Sequence, residues 1–318
     1  MSVSVVDLVV SVASQDDAAG MVDVIHAAFG ARPALDPPST ASEETAATVA
    51  AQLASGAGVY AEVNGRPAGA ILVVADGTDA RVATFRRVSV HPDFQRHGIA
   101  SAMVAAAEEV AARAGYDRVE LFARGEFADL IAYWQHRGYV IDRPGPYGVV
   151  LAKPLPTVLT VATAEDMHQL GERLAGLLRP GDLVIATGEL GAGKTTLAQG
   201  VGRGLGTEGP VISPTFVISR IHPSQDGGPS LVHVDAYRLS GPDELDDLDL
   251  DATLPDAVTL VEWGAGLAEG LAVDRLELEI VARPDADTGA DTRLVALRGV
   301  GPRWDAVDLS VLAGDTRA

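Results

Sequence analysis

The chain has no cysteine among its 318 residues. That excludes disulfides, thiolate metal sites and a cysteine nucleophile, and it fits a reducing, cytoplasmic setting. Lysine is nearly absent too. Lys153 and Lys194 are the only two, and every other basic side chain is arginine or histidine. Positive charge is short overall: 24 basic against 44 acidic side chains, a formal net charge of −20. This excludes non-specific nucleic-acid binding through a broad basic face. Residues 1–155 hold 12 basic and 18 acidic side chains, and residues 156–318 hold 12 and 26. If the second half serves nucleic acid, it does so through a partner protein. No apolar run reaches membrane length, and the opening Met1–Ala13 stretch carries Asp7 and lacks a basic leader. No secretory signal and no membrane partner are expected, and a cytoplasmic location is. What is present suffices for ordinary cores, since 47% of residues are hydrophobic, and the length suggests two domains.

A composition that has almost eliminated lysine has kept Lys194 in a telling place. The apolar run Leu183–Thr187 leads into Gly188, Glu189, Leu190, Gly191, Ala192, Gly193, Lys194, Thr195 and Thr196. A helical pattern through Leu197, Val201 and Leu205 follows. Strand, G-x-x-x-x-G-K-T and helix make a P-loop in its required context. The glycines let the backbone wrap phosphate oxygens with its N–H groups, and the helix start adds partial positive charge. Lys194 would reach the β- and γ-phosphates of ATP as a compact point charge, and the Thr195 hydroxyl would sit on Mg2+. The competing reading is a glycine-rich strand–helix turn with no ligand. A nucleotide site also needs acidic groups at neighbouring strand ends. Leu231–Val234 reads as a strand that puts His233 and Asp235 on one face, and Ala257–Val261 reads as a buried strand capped by Glu262. Lys194, Asp235 and Glu262 are the catalytic candidates here, and Thr195, Asp235 and Glu262 the metal candidates.

The first half has a different rhythm. After a short strand, residues 11–30 read as a helix, and a second helix covers Ala46–Leu53. Two apolar runs, Gly58–Val63 and Pro67–Ala75, are joined by the hairpin signal Asn64-Gly65. A strand at Ala83–Val90 and a helix at Ala100–Ala114 follow. Then come a strand at Arg118–Ala123, a helix at Phe127–His136 and a strand near Tyr147–Ala152. Pro154 and Pro156 mark a boundary.

Val88-Ser89-Val90-His91-Pro92, followed by Gln95-Arg96-His97-Gly98-Ile99-Ala100 and the late Trp134–Tyr139 stretch, resembles the GNAT superfamily of N-acetyltransferases over about residues 5–153. The resemblance implies acetyl-CoA as cofactor. Its pyrophosphate would be held by the backbone of Gln95, Arg96, His97, Gly98, Ile99 and Ala100, beside Val88 and Val90. The family's usual general acid is a tyrosine four residues before the late glycine, where this chain has Trp134. Tyr133, one residue earlier, is the candidate acid, and a plain packing role is the other reading. Glu120 is either a base or a solvated strand residue.

The P-loop, together with Ser213-Pro214-Thr215-Phe216, His233-Val234-Asp235-Ala236-Tyr237-Arg238-Leu239 and Glu262-Trp263, resembles TsaE (YjeE) over about residues 157–300. That family is the ATPase subunit of the machinery that makes threonylcarbamoyladenosine on tRNA. The resemblance implies ATP and Mg2+ as cofactors, TsaD and TsaB homologues as partners, and contact with tRNA only through that complex. It places Thr215 in a switch-like loop and Trp263 beside the nucleotide. The expected fold class is α/β: a GNAT fold (a mixed central sheet with flanking helices) over 1–155, then a small P-loop NTPase domain over 156–318. The expected function is a TsaE-type ATPase fused to an acetyltransferase-like domain of unknown substrate. The alternative is a nucleotide-gated partner-binding protein whose first domain binds coenzyme A without turnover. A small-molecule kinase would need an arginine-rich lid, which is not seen. The acidic cluster Asp243–Asp251 reads as a solvated face or a partner-facing patch. The stretch from Pro284 to Asp291 reads as a loop, and the residues after Leu312 as a frayed tail.

Overall fold

The computed structural model describes residues 7–284 and 291–313. The interior of the aspartate-rich loop (285–290) and the end of the tail (314–318) lie outside the described residues, as do residues 1–6. The chain divides into two compact units between Leu155 and Pro156.

The first unit contains β1 (Leu8–Val12), α1 (Ala18–Gly30), α2 (Ala46–Ser55), β2 (Ala57–Val63), β3 (Arg66–Ala75), β4 (Val82–Val90) and α3 (Ile99–Arg113). It continues with β5 (Arg118–Arg124), α4 (Ala128–His136), β6 (Val140–Gly145) and β7 (Gly148–Pro154). Its sheet runs β1-β2-β3-β4-β5-β7-β6. The β2–β3 hairpin turns at Asn64 and Gly65, both at positive φ, as a two-residue turn matched to strand twist requires. Alternation along β3 gives the sheet two buried faces. Ala70 and Leu72 join Met21, Val24, Ile25, Val49 and Leu53 of α1 and α2. On the other face Gly69 makes room for Met103 of α3.

β4 is parallel to β5 only over Val82–Thr84 and Arg118–Glu120. Beyond that short register the strands part, and the opening between them becomes a cleft. β4 also carries an extra residue against β3, where Ala70 faces Ser89 and Leu72 faces Arg86. The extra residue sits near Arg87, whose φ is 54°. A bulge re-aims a strand side chain. Here the Arg87 guanidinium meets the carboxylate of buried Glu44 at 2.8 Å.

The second unit contains β8 (Thr157–Val161), α5 (Ala164–Ala175), β9 (Leu183–Gly188), α6 (Lys194–Gly204), β10 (Ser219–His222), β11 (Ser230–Asp235) and α7 (Pro242–Asp246). β12 (Ala257–Glu262), β13 (Arg275–Pro284), β14 (Asp291–Val300) and α8 (Pro302–Asp305) complete it. The sheet order is β10-β11-β12-β9-β13-β14-β8. The β11-β12-β9-β13 core is parallel, and antiparallel strands flank it. Such sheets bury both faces, which explains the continuous apolar runs of β9 and β12. One face carries α5 and α6, through Met167, Leu170, Leu174, Leu197 and Val201. The other is covered by the irregular 236–272 segment, whose Leu245 and Leu250 reach inward. These two leucines interrupt the acidic stretch Asp243–Asp251, so its acids sit on the outer side of a segment pinned to the core. The sequence reading starts the 11–30 helix too early, since residues 11 and 12 belong to β1 and α1 begins at Ala18. It anticipated neither β6 nor β8. Both are edge strands with partly exposed sides and weak periodicity.

Candidate functional sites

In the second unit β9, β11 and β12 end together. Asp235 and Glu262 are cross-strand neighbours, and Glu262 faces Ala186 of β9. Ligands of open α/β sheets gather beyond such carboxyl ends. Between β9 and α6 the loop is held by conformations only glycine takes easily. Gly188 has φ 143° and Gly193, the N-cap of α6, has φ 114°. A Cβ on Gly188 would run into the Ile280 carbonyl of β13. The loop is therefore free to wrap an anion without side chains in the way.

Lys194 is 4% exposed. Its Nζ donates to the carbonyls of Gly188 at 2.7 Å and Glu189 at 2.9 Å. It also lies 3.8 Å from the centroid of the Trp263 ring, a cation–π contact. Trp263 adopts φ 61°, a left-handed conformation that costs a non-glycine residue about 1 kcal/mol. That turn carries the chain off β12 and brings the indole beneath the ammonium. Tyr237 stands beside it, ring centroids 5.2 Å apart. Burial pushes the Lys194 ammonium below its ordinary range, and the charges of Glu262 and Asp235 oppose that shift. The cation is thus poorly hydrated, a state in which phosphate oxygens bind it strongly.

Two hydrogen-bonded chains converge there. Thr195 Oγ1 donates to Glu262 at 2.8 and 3.1 Å, and Glu262 Oε1 lies 2.8 Å from His233 Nε2. His233 is fully buried and acts through Glu262, orienting the carboxylate. On the other side Thr215 Oγ1 donates to Asp235 Oδ2 at 2.6 Å and contacts Ser213 Oγ at 2.7 Å. Asp235 Oδ1 accepts from the Tyr237 N–H. Thr195, Glu262 and Asp235 form a set of hard oxygen donors, the kind Mg2+ takes. Among the described residues no cluster of three or more His, Cys, Asp or Glu side chains could hold a metal alone. A magnesium ion that keeps waters and phosphate oxygens needs no such cage.

In the first unit Gly98 caps α3 from the left-handed region at φ 76°, and Arg96 also has positive φ, 67°. The first turn of α3 leaves its N–H groups open. They border a cavity of about 500 Å³ lined by Val90, Gln95, Arg96, Gly98, Ile99 and Ala100, with Arg32 and Tyr133. Ile99 points its side chain into the core, so only its backbone is on offer. His97 does not line the cavity. Its Nδ1 is 2.8 Å from the Gln95 carbonyl, and the ring braces the loop. Val88 and Val90 line a second, larger cleft of about 680 Å³ between the parted strands. Arg32, Val90, Ala100 and Tyr133 border both spaces.

The tyrosine–tryptophan order resolves physically. Trp134 is 2% exposed and packs edge-on to Tyr139, centroids 5.0 Å apart. Tyr133 takes the cavity side instead. Its hydroxyl is buried and has no hydrogen-bond partner among the described residues. Glu120 is not in the cleft. It is buried among arginines, with Arg143 donating at 3.0 and 2.6 Å and Arg118 adding a further ion pair. The Arg143 hydrogen bonds, outweighing burial, hold its carboxyl below the ordinary range, with Arg118 adding to the shift. Lining neither cavity, and with its oxygens taken up by arginines, it is not placed to accept a proton from an acceptor there.

Sequence reasoning missed the arginines of the cleft, Arg32, Arg86, Arg87 and Arg124. They lie on three separate segments, the turn after α1, β4 and the end of β5, and no spacing brings these together in the sequence. Arg87 depends on Glu44, which also accepts from Thr48 and Gln52. Burial raises the Glu44 carboxyl, but hydrogen bonds from Arg87 and Thr48 and the charges of Arg87 and Arg86 bring it below its ordinary value. A depressed carboxylate stabilises the fold above its unfolded pKa, and that stability is lost as pH falls through the folded value. Glu44→Gln should cost about 3 kcal/mol at pH 7. Urea melts should show the gap to the parent closing below the ordinary carboxylate pKa. A gap that persists at low pH would mean packing, not charge, is at stake.

Comparison with known proteins finds a match for each unit. The family model for threonylcarbamoyl adenosine biosynthesis protein TsaE matches residues 161–290, and that for the acetyltransferase (GNAT) family matches residues 25–139. The tRNA threonylcarbamoyladenosine biosynthesis protein TsaE of Streptomyces coelicolor is 60% identical over 149 residues, 46% of this chain and 100% of that protein. The protein of the same name from Mycobacterium tuberculosis (strain H37Rv) is 47% identical over 136 residues, 41% of this chain and 81% of its own length. A GNAT-family acetyltransferase structure from Streptococcus pneumoniae covers 47% of this chain and 99% of its own, at 17% identity and a TM-score of 0.41. The chain therefore belongs, through its second unit, to the TsaE family of tRNA threonylcarbamoyladenosine biosynthesis proteins, and its first unit carries the match to the acetyltransferase (GNAT) family model.

Proposed function

We propose that the chain is a bifunctional enzyme of two active sites. Its second unit hydrolyses ATP in support of tRNA threonylcarbamoyladenosine formation, in a complex with TsaD and TsaB homologues. Its first unit transfers acetyl from acetyl-CoA to an amine. The observation that carries the first part is the convergence of Lys194, Thr195, Asp235 and Glu262 at three parallel strand ends. Lys194 and the loop N–H groups bind the β- and γ-phosphates. Thr195, Glu262 and Asp235 would hold Mg2+, which supplies charge neutralisation on the phosphates. Asp235, tied to Thr215, links the 213–216 loop to the nucleotide, and His233 fixes the carboxylate of Glu262. Exposed apolar side chains on the loops of this site support a partner protein. Leu190 and Phe216 are each 86% exposed and Tyr237 is 59% exposed. Apolar groups of that size left in water mark interaction surfaces.

The open first turn of α3 and the Tyr133 hydroxyl carry the second part. Backbone N–H groups of residues 95–100 hold the cofactor's pyrophosphate, and Tyr133, which borders both spaces, protonates the departing thiolate. Coenzyme A binding without turnover is the rival reading. The test has two arms. With purified TsaD and TsaB homologues and tRNA, ATP should sustain many rounds of product per chain; equal yield without ATP would sink the first assignment. In acetyl transfer, Tyr133→Phe should lower kcat about 100-fold with the KM for acetyl-CoA unchanged. An unchanged kcat would return Tyr133 to packing.

A further inference from the structure

The larger cleft of the first unit is lined by charge of one sign. Arg32, Arg86, Arg87 and Arg124 line it, and no aspartate or glutamate does. The surrounding chain is strongly acidic, at −20 net, so the bias is local. Two of the four are committed. Arg87 is neutralised by Glu44 at 2.8 Å, and Arg124 by Glu126 at 2.6 Å while it also donates to the carbonyls of Asp36 and Pro37. These contacts fasten the 36–44 segment to the sheet as a wall of the cleft. The other two, Arg32 and Arg86, form no ion pair among the described residues; the Arg86 charge only adds to the field on Glu44, which Arg87 already holds. Arg86 is exposed. Arg32 is half-buried, its guanidinium 4.0 Å from the Phe29 ring centroid and 5.6 Å from that of Phe127. The rings fix its position without neutralising it. Burial accordingly lowers its pKa, the sign of a cation short of a counter-charge. Arg32 and Tyr133 stand together where the cofactor cavity meets the cleft.

We propose that the acetyl acceptor is an anionic amine, a primary amine carrying at least one carboxylate, held by Arg32 with Arg86 as second contact. This rests on the acetyltransferase reading of the first unit. A carboxylate accepts two parallel N–H bonds from a guanidinium and restores the missing counter-charge. It would leave the amine end of the acceptor toward Tyr133. The nitrogen then forms the amide bond as the C–S bond breaks. The thiolate takes the Tyr133 proton, and the proton lost by the amine restores the phenol. Cationic amines meet uncompensated positive charge. A free amino-dicarboxylate and the N-terminus of an acidic peptide share the required chemistry, and the cleft, at about 680 Å³, has room for either.

Thiol release reports turnover cleanly, because the chain contributes no cysteine. Glutamate and a short Asp-Glu peptide would each be assayed beside the fully amidated counterpart, with spermidine as the cationic amine. An acidic amine should exceed its counterpart in kcat/KM by about tenfold or more. Whichever of the two leads identifies the source. Arg32→Gln should erase the preference through the acceptor KM, leaving the acetyl-CoA Kd within about twofold. Equal rates for acidic and amidated amines, or faster turnover of spermidine, would overturn the proposal while leaving acetyl transfer intact. So would a weakened acetyl-CoA Kd with the acceptor KM unmoved, which would give Arg32 to the cofactor. If no amine is acetylated, calorimetry on the coenzyme A-loaded protein decides. Acidic-amine binding that Arg32→Gln weakens supports the charge assignment and ends the transfer reading. No binding at millimolar concentration overturns the assignment as well.

Discussion

Lys194→Ala will lower ATP hydrolysis about 1,000-fold, a loss near 4 kcal/mol of transition-state stabilisation. The second unit should keep its fold. The side chain makes two hydrogen bonds, both to carbonyls of its own loop, and one ring contact. Its removal also relieves the desolvation of a buried ammonium, so the stability cost is small. The catalytic cost is not. A buried cation beside phosphate acts in a low-dielectric setting, where each charge counts for several times its worth in water. Lys194→Arg should not restore the activity. A planar fork is a poor substitute for a point charge already seated between two carbonyls and an indole face. With TsaD and TsaB homologues present, the alanine variant should stop sustained threonylcarbamoyladenosine formation and leave acetyl transfer untouched. Hydrolysis above about a tenth of the parent rate would remove Lys194 from the phosphate site.

How much of this was legible in the chain depends on whether the signal was local. The hairpin at Asn64-Gly65 and the P-loop are short-range devices, and each reads directly from neighbouring residues. Asp235 and Glu262 were legible because a strand end is a local event, even though their pairing is not. The grouping of Tyr133 with Arg32 was not legible, since it arises from the parting of β4 and β5 and the placing of α1 against them. Glu120 misled for the same reason. Strand alternation gives it a face, but the ion pair with Arg143 needs the β6–β7 hairpin, and β6 has almost no buried side. The left-handed turn at Trp263 leaves no mark in the sequence, because an aromatic residue is not expected there.

Gly200→Ala should destabilise the second unit by about 3 kcal/mol, against the usual direction of that substitution in a helix. Alanine in place of a mid-helix glycine normally gains about 1 kcal/mol from propensity alone. Packing decides the sign here. Gly200 of α6 lies against α5, and a Cβ there would strike the His168 carbonyl oxygen and come within 2.9 Å of its carbonyl carbon. From the other side, a Cβ on Gly171 would meet the Leu197 carbonyl, with the Val201 nitrogen at 2.7 Å. One turn on, a Cβ on Gly204 would come to 2.5 Å from the Ala175 Cβ. Small residues at 171 and 175 thus face small residues at 200 and 204, and the two backbones touch. A side-chain clash can be relieved by a rotamer change; a clash with backbone can be relieved only by moving a helix. Moving α6 also shifts its N-terminus, which is the phosphate site. The variant should therefore lose both stability, read by urea denaturation, and nucleotide affinity, read by titration calorimetry. Gly30→Ala at the end of α1, where a new Cβ meets nothing within 4 Å, serves as the control and should change stability by less than about 1 kcal/mol. If Gly200→Ala matched that control, the contact between α5 and α6 would have room the structure denies it, and the placing of the P-loop helix would need another cause.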